Sequence, residues 1–471
     1  MSELINRKQI LLKRYRRNKC MGLLVSLLIL ICVGLLVVWW LPILLAVFTW
    51  LVHENWFVEY LFYSPKNDYQ YKFTADTEQL GVTLDKGRLV LRQEFELIGD
   101  ETLILAVRLK SSMVGHFIDP YVVLSYDDRQ VFERGVNGLR YLNLTGQAQL
   151  LLSGQLLLRS RFCHVQGELV LSVFRYPDVR RQRMMVIAPH ADDAELAAFG
   201  LYSQTVQPWI VTLTAGEIEA EHYQRMGLSK PEAARLKGRL RAWDSIVVPR
   251  WAGIRQEYLI QLGYFCLQLM AMKLEPDRAV VSLEAELNDI RVFRQFNQFL
   301  LPADTNGLAT WSNLLADLRA IILLARPEVI VLPCSLLDSH PDHVCARQAV
   351  LEALQDLEWQ PTILLGYANH LHDNNRWPMG DSGNGVALPP FFDTTYTLLP
   401  YCVSLSKQEQ CNKAMSLGMM HDLQPRISFK RRVRRVIQRL FSGRAISPWG
   451  ENDFFRKAVR RHELFWFVKY K

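Results

Sequence analysis

Residues 21–52 contain no charged side chain, and this run limits the folds open to the chain more than any other feature. A helix needs roughly 20 apolar residues to cross a bilayer core, and globular cores rarely bury a longer helix of such uniform apolarity. The run therefore predicts one transmembrane anchor over 21–52, with Trp39, Trp40 and Trp50 at the interfaces and Pro42 bending the segment near one face. Two full spans do not fit in it. The apolar core of a signal peptide, the competing reading, is shorter, about 7–15 residues, and ends in small residues. Residues 1–20 set seven Lys and Arg against Glu3, while Glu54 and Glu59 follow the run. The positive-inside rule then predicts a cytoplasmic N-terminus over 1–20 and a catalytic unit on the other, periplasmic or extracytoplasmic, side. Cysteine usage pulls the other way. The eight cysteines form no CxxC pair, and Cys266 and Cys334 sit in apolar runs like small core residues, a pattern that suits a reducing compartment.

The 471 residues are too many for one ordinary core, so two or more domains follow. Of the formal net charge of +8, residues 1–20 carry +6 and residues 426–471 carry +11, which leaves the stretch between them at −9. The basic pI is thus a property of the two ends, one of them beside the anchor, and does not suggest nucleic acid as a partner. The tail interleaves Ile427, Phe429, Val433, Val436, Ile437 and Leu440 with arginines. Such a stripe suits either a helix lying on an anionic membrane surface or one packed on the body.

Between these ends the hydrophobic pattern changes once. Residues 71–176 read as an all-β module with sandwich-like spacing, with runs at 88–97, 102–109, 121–125, 149–158 and 168–174 separated by Gly, Asp, Asn and Pro. No aromatic platform marks it as a sugar binder, so a spacer or positioning role fits it better. From residue 182 apolar strand-like runs at 184–188, 209–213, 329–332 and 363–365 alternate with helical stretches near 194–206, 311–324 and 343–357. That alternation predicts a mostly parallel sheet covered on both faces. Residues 251–305 interrupt it as a long, partly helical insertion.

The chemistry concentrates at two strand ends. Met184-Met185-Val186-Ile187-Ala188 runs directly into Pro189-His190-Ala191-Asp192-Asp193-Ala194-Glu195, and Val329-Ile330-Val331-Leu332 precedes Ser339-His340-Pro341-Asp342-His343. Open α/β sheets place ligands at the carboxyl ends of their strands. His190 and Asp193, three apart on a strand-to-helix turn, can face one ion, and His343 can supply a third ligand from the neighbouring strand end. Two histidines and a carboxylate are the ligand set of a catalytic zinc site with one position left for water. Asp192 is then placed to take that water's proton, and His340 to stabilise an oxyanion or protonate a leaving group. As structural alternatives, Asp192 could cap the helix that follows, and Glu217 could either orient the site or cap a helix. His370 and His372 could line the pocket or be ordinary loop residues; Trp209 and Trp377 read as packing.

With Leu213-Thr214-Ala215-Gly216-Glu217 between the two clusters, the three motifs stand in the order found in the PIG-L/LmbE-like zinc-dependent N-deacetylases, which residues 182–425 resemble. The resemblance implies a Rossmann-like fold and removal of acetyl from an N-acetylated amino sugar, an N-acetylhexosamine in an envelope glycolipid or polysaccharide. By position it implies His190, Asp193 and His343 as ligands of zinc or another divalent metal, Asp192 as general base and His340 as stabiliser of the tetrahedral intermediate. Two departures stand out. Ala191 replaces the usual proline, and Asp338 occupies the place where some members carry a tyrosine. The alternatives are a non-catalytic glycan-binding protein that retains the fold, against which an intact Asp192 argues, and a metal hydrolase of a non-sugar amide.

Overall fold

The computed structural model describes residues 2–36, 40–57, 59–125, 127–423, 428–450 and 452–470, so Trp39, Arg426 and Ile427 lie outside the described residues. The chain opens with helix α1 (Ser2–Leu36) and helix α2 (Leu41–Val52). Within α1, Lys8–Leu36 is long and apolar enough to cross a membrane by length and composition. The apolar run 21–52, expected as one anchor bent at Pro42, is divided between the end of α1 and α2, and α2 lies beside α1. Pro42 sits in the first turn of α2, where its missing N–H leaves no broken helical bond. At Gly34, near the end of α1, an added Cβ would lie 3.0 Å from the Pro42 ring. At the opposite end of the pair, the Tyr15 hydroxyl donates to the Glu59 carbonyl oxygen at 3.1 Å. Pro42, expected from the sequence to bend the segment, stands at the start of α2.

The β-rich module follows. Strands β1 (Glu78–Asp85), β2 (Arg88–Leu91), β3 (Thr102–Ser111), β4 (Tyr121–Leu124), β5 (Asp128–Val131), β6 (Asn137–Asn143), β7 (Leu158–Arg161) and β8 (Cys163–Phe174) form two antiparallel sheets, ordered β2-β1-β8-β3-β6 and β5-β4-β7. Leu103, Leu105 and Val107 of one sheet and Val122, Leu124 and Leu158 of the other share one apolar cluster. Two expected strands differ: 88–97 pairs only as far as Leu91, and 149–158 is the short helix Ala148–Leu152 followed by a turn. In that helix Ala148 and Leu151 are buried while Gln149, Leu150 and Leu152 face solvent, the three-residue spacing of one helical turn.

The third layer system is a seven-stranded sheet of β9 (Met184–Ala188), β10 (Pro208–Thr214), β11 (Leu259–Tyr264), β12 (Val329–Pro333), β13 (Ile363–Tyr367), β14 (Leu399–Ser404) and β15 (His462–Lys469), ordered β11-β10-β9-β12-β13-β15-β14. The first five strands run parallel; β15 runs against them, and β14 pairs antiparallel with β15 at the edge. Met185 and Ile187 of β9 pack on one face and Met184, Val186 and Ala188 on the other, the two-residue alternation of a doubly covered strand. The chain enters at β9, proceeds to β10 and β11, then crosses back to β12. That reversal opens a crevice at the carboxyl ends of β9 and β12, the position where such sheets bind ligands.

Two further expectations are corrected. The 251–305 insertion contains β11, an edge strand of the sheet, and the 426–471 tail contains β15, which lies inside the sheet between β13 and β14. Glu463 on β15 accepts the backbone N–H groups of Gly200 and Leu201 at 2.8 and 2.9 Å and pairs with Lys413 at 2.7 Å. The last residues of the chain thereby hold the helix that begins at the first motif. The β-rich module also bears on the site, since Ile104, Tyr141 and Phe174 pack with Leu337 and Leu371. Those two leucines are sequence neighbours of Asp338 and His370.

Candidate active site

The turn after β9 is built from the strand upward. Thr214, at the end of β10, donates its N–H and its hydroxyl to the Pro189 carbonyl oxygen at 3.0 and 2.8 Å, which fixes where the turn leaves the sheet. The buried Asp193 carboxylate then folds back over its own turn. Its Oδ2 accepts the His190 backbone N–H at 2.9 Å and lies 3.0 Å from His190 Nδ1. Its Oδ1 accepts from the Asn369 amide at 2.8 Å. From the second motif, His343 Nε2 comes to 3.1 Å from the same Asp193 Oδ2. Residues 150 apart in sequence thus converge on one carboxylate oxygen.

Each of these two imidazoles is oriented through its other nitrogen. His343 Nδ1 meets Asp338 Oδ2 at 2.9 Å, and His190 Nε2 meets Asp342 Oδ2 at 3.2 Å. Asp338 also accepts the N–H groups of His340, Asn369 and His370 at 3.1, 2.9 and 3.0 Å, so one buried carboxylate organises both site loops. Asp342 is held by the Leu267 N–H at 2.8 Å. Sequence reasoning gave neither aspartate a role. Asp338 appeared only as a departure from a tyrosine, and its lack of a defined strand or helix position left no periodic signal to find it by.

The electrostatics divide the histidines into two pairs. Burial alone would strip the charge from His343, but Asp193 and Asp338 on either side push its pKa up to about 10. His190 likewise overcomes burial and is raised well above the usual imidazole range by Cys266, Asp193 and Asp342. Burial, reinforced by the neighbouring imidazoles, brings His340 down to about 3, and burial brings His370 down to about 4. The carboxylates therefore draw positive charge to the place between His190, Asp193 and His343, while His340 and His370 stand neutral around it.

Asp192 occupies the first position before the helix Asp193–Ser203, yet its side chain makes no cap hydrogen bond. Its Oδ1 instead accepts from Arg241 Nη2 at 2.9 Å, and Arg241 pairs on its other side with Asp422. Gly216 explains part of this geometry. At φ +62° it adopts a left-handed conformation, and a Cβ there would come within 2.4 Å of Arg241 Nε. Arg241 was not found from sequence because it lies on the helix Lys230–Val247, 49 residues beyond Asp192 and in no motif. Glu217 is buried and its pKa is raised by that burial. It accepts from the Ser282 hydroxyl at 2.7 Å and the Cys266 N–H at 3.2 Å, and so steadies the corner that delivers Leu267 to Asp342.

The remaining sequence candidates sort cleanly. His370 joins the centre, its ring centroid 5.0 Å from that of His343 and 5.2 Å from that of His340. His372 turns away to Leu336 and Asp373. Trp209 is core, and Trp377 Nε1 donates to the Ala387 carbonyl oxygen.

Three overlapping groups here could hold an ion: His190, His340 and His343; His190, Cys266 and Asp342; and Asp193, His343 and His370. In each, the ligand atoms lie within 4.8 Å of one another. Asp342 Oδ1 is buried without a hydrogen-bond partner among the described residues. Buried polar atoms rarely go unpaired, so an acceptor aimed at no protein donor fits a cation. Imidazole and carboxylate are also the donors that zinc and similar divalent ions take.

Fold and cluster together define an α/β domain with a histidine–carboxylate centre at the carboxyl edge of its parallel strands. Residues 185–354 match the PIG-L family model, described as GlcNAc-PI de-N-acetylase. No curated protein matches the chain. Among solved structures, GalB, the 4-carboxy-2-hydroxymuconate hydratase of Pseudomonas putida KT2440, aligns at 14% identity and a TM-score of 0.29 over 55% of this chain and 83% of its own.

Proposed function

We propose that the chain is a divalent-metal-dependent N-deacetylase of an N-acetylated amino sugar, with zinc as the metal and a membrane glycolipid or surface polysaccharide as the substrate. The observation that carries this reading is the convergence of His190 Nδ1 and His343 Nε2 on Asp193 Oδ2, each ring braced behind by a carboxylate. Bracing of this kind fixes the tautomer and direction of a metal-bound imidazole, which favours His190, Asp193 and His343 as the ligand set, a combination that draws on two of the three groups and is contained whole in none of them. A bound divalent ion would polarise the amide carbonyl and lower the pKa of a water at its open position. Asp192, held by Arg241, takes the proton from the attacking water and returns it to the departing amine. Neutral His340 offers a ring N–H to the carbonyl oxygen as its charge develops. The strand order around β9 supports the Rossmann-like description of this unit, and the paired sheets before it support a sandwich-like module that positions the site loops.

The test is acetate release by the full-length protein in detergent, from N-acetylglucosamine-containing glycolipids and oligosaccharides, with zinc, with a chelator and with Asp192→Asn. Release that needs metal and disappears in the variant is expected. Release that survives the chelator, or none from any sugar by metal-loaded protein, would sink the proposal.

A further inference from the structure

We infer that the N-terminal helices are a re-entrant hairpin seated in one membrane face, so that residues 1–20, the catalytic unit and the C-terminus all lie on the same, cytoplasmic side. Three observations carry this. First, α1 and α2 are antiparallel partners with contacts at both ends: Gly34 against Pro42 at the tip, Tyr15 against Glu59 at the base. Second, the basic half of α1 lies along the body. Lys8 Nζ donates to the Leu371 carbonyl oxygen at 3.5 Å, and the Tyr15 ring packs edge-on to Phe62. Third, the arms are short. The apolar part of α1, residues 21–36, is about 24 Å long and α2 about 18 Å, against a hydrocarbon core of roughly 30 Å. Lys8–Leu36 as a whole has the length to cross, but its first turns are basic and lie along the body, which leaves only the apolar part of α1 for lipid. No residue of α2 is buried in the protein, and Leu35 and Leu36 at the tip are 81% and 82% exposed, so lipid is what is left to cover them.

A second element lies at the base of the hairpin and fits the same surface. The helix Phe429–Ser442 is seated on the first residues after α2, with Arg434 Nε donating to Glu54 Oε2 at 2.6 Å and Gln438 Nε2 to the Glu54 carbonyl oxygen at 3.2 Å. Its apolar stripe stays largely uncovered, with Phe429 81% and Leu440 74% exposed among flanking arginines. A helix with an apolar stripe and a basic flank, beside a lipid-embedded hairpin, is complementary to an anionic leaflet.

The same-side arrangement also removes the conflict in the sequence. The positive-inside rule places residues 1–20 in the cytoplasm. All eight cysteines are free, five of them buried in the body, as a reducing compartment allows. A hairpin satisfies both at once, whereas a single crossing satisfies only one.

The experiment uses the full chain in a bacterial host, with a reporter that fluoresces only in the cytoplasm fused at the N-terminus in one version and after Lys471 in another. Both versions should fluoresce and remain in the membrane fraction at high salt. In a third version, Leu36→Cys at the exposed tip should resist a membrane-impermeant maleimide applied from either side. In a fourth, Leu440→Cys carrying a polarity-sensitive dye should shift to the blue in anionic vesicles. Fluorescence from only one terminus, labelling of residue 36 from the far side, or a chain shortened by signal cleavage overturns the hairpin. Water-like dye emission at residue 440 overturns the seating of the C-terminal helix.

Discussion

Two buried polar clusters in this molecule look alike in composition and differ in completeness. Around Asp119, Oδ1 accepts from Arg134 at 2.8 Å, and Oδ2 accepts from Arg376 at 2.9 Å and Arg444 at 3.0 Å. Arg376 reaches on to Glu59 at 3.1 Å, so five separated segments are tied through one node. The arginines hold the Asp119 carboxyl far below its usual range even though burial opposes its charge. The cluster around Asp193 is also buried and carboxylate-rich, but His340 Nδ1 and Asp342 Oδ1 lack hydrogen-bond partners among the described residues. A closed network fastens structure. An open one, maintained at the cost of unpaired groups, marks the place where something else must bind.

The contrast breaks most sharply at Asp192 and Asp119. Asp192→Asn should lower acetate release by about 10²–10⁴-fold while leaving thermal stability unchanged, because its carboxylate serves proton transfer and fastens only Arg241. Asp119→Ala should do the reverse. It removes the carboxylate shared by three guanidinium groups, of which Arg376 and Arg444 keep Glu59, and should cost about 3–5 kcal/mol in denaturant unfolding, with the turnover of the surviving folded protein intact. If each variant damaged both properties equally, the distinction between closed and open networks would be wrong.

A smaller effect is expected at the bracing carboxylates. Asp338→Asn keeps the shape but weakens the hold on His343 Nδ1, and metal affinity measured by chelator competition should fall about 10–100-fold. Unchanged affinity would show that His343 needs no such orientation.

The smallest effect concerns Glu195, whose carboxyl accepts from the Tyr202 hydroxyl at 3.0 Å. Burial, with Asp192 and Asp193 nearby, pushes its pKa up to about 8. Between the unfolded carboxyl pKa and about 8 the folded state binds more protons than the unfolded one, so stability falls as pH rises through this window. Glu195→Gln removes the titration. It should therefore raise Tm by about 2–4 °C at pH 8 and by much less at pH 5, as read by thermal scans at both values. An equal shift at the two pH values would place the effect in packing alone.

The candidate site was legible where chemistry is local. His190, Asp192 and Asp193 follow one strand and His340 and His343 another; the structure brings His190, Asp193, His340 and His343 together, while the Asp192 side chain pairs with Arg241. His370 was legible only as one of two loop histidines, and nothing in the sequence separated it from His372. Asp338 and Arg241 escaped because their roles depend on distances that cross tens of residues: one carboxylate gathers N–H groups from two loops, and one guanidinium reaches over Gly216. In the fold, strands and helices with a clear period were read close to their observed bounds. The short helix Ala148–Leu152 and strand β15 were not, the first for want of enough turns and the second because its basic surroundings masked a buried strand.

The sequence by itself determined which side chains can do chemistry, that they sit at the ends of apolar strands, and that 21–52 must meet something other than water. Those properties follow from residue type and neighbours along the chain. Only the tertiary structure decided which nitrogen of each histidine faces Asp193, which carboxylates brace them, and that the apolar run returns on itself. Each of these depends on long-range packing. An apolar run has the same hydropathy whether it continues straight or turns back, and the contacts of Tyr15 with Glu59 and of Gly34 with Pro42 are what set α2 beside α1.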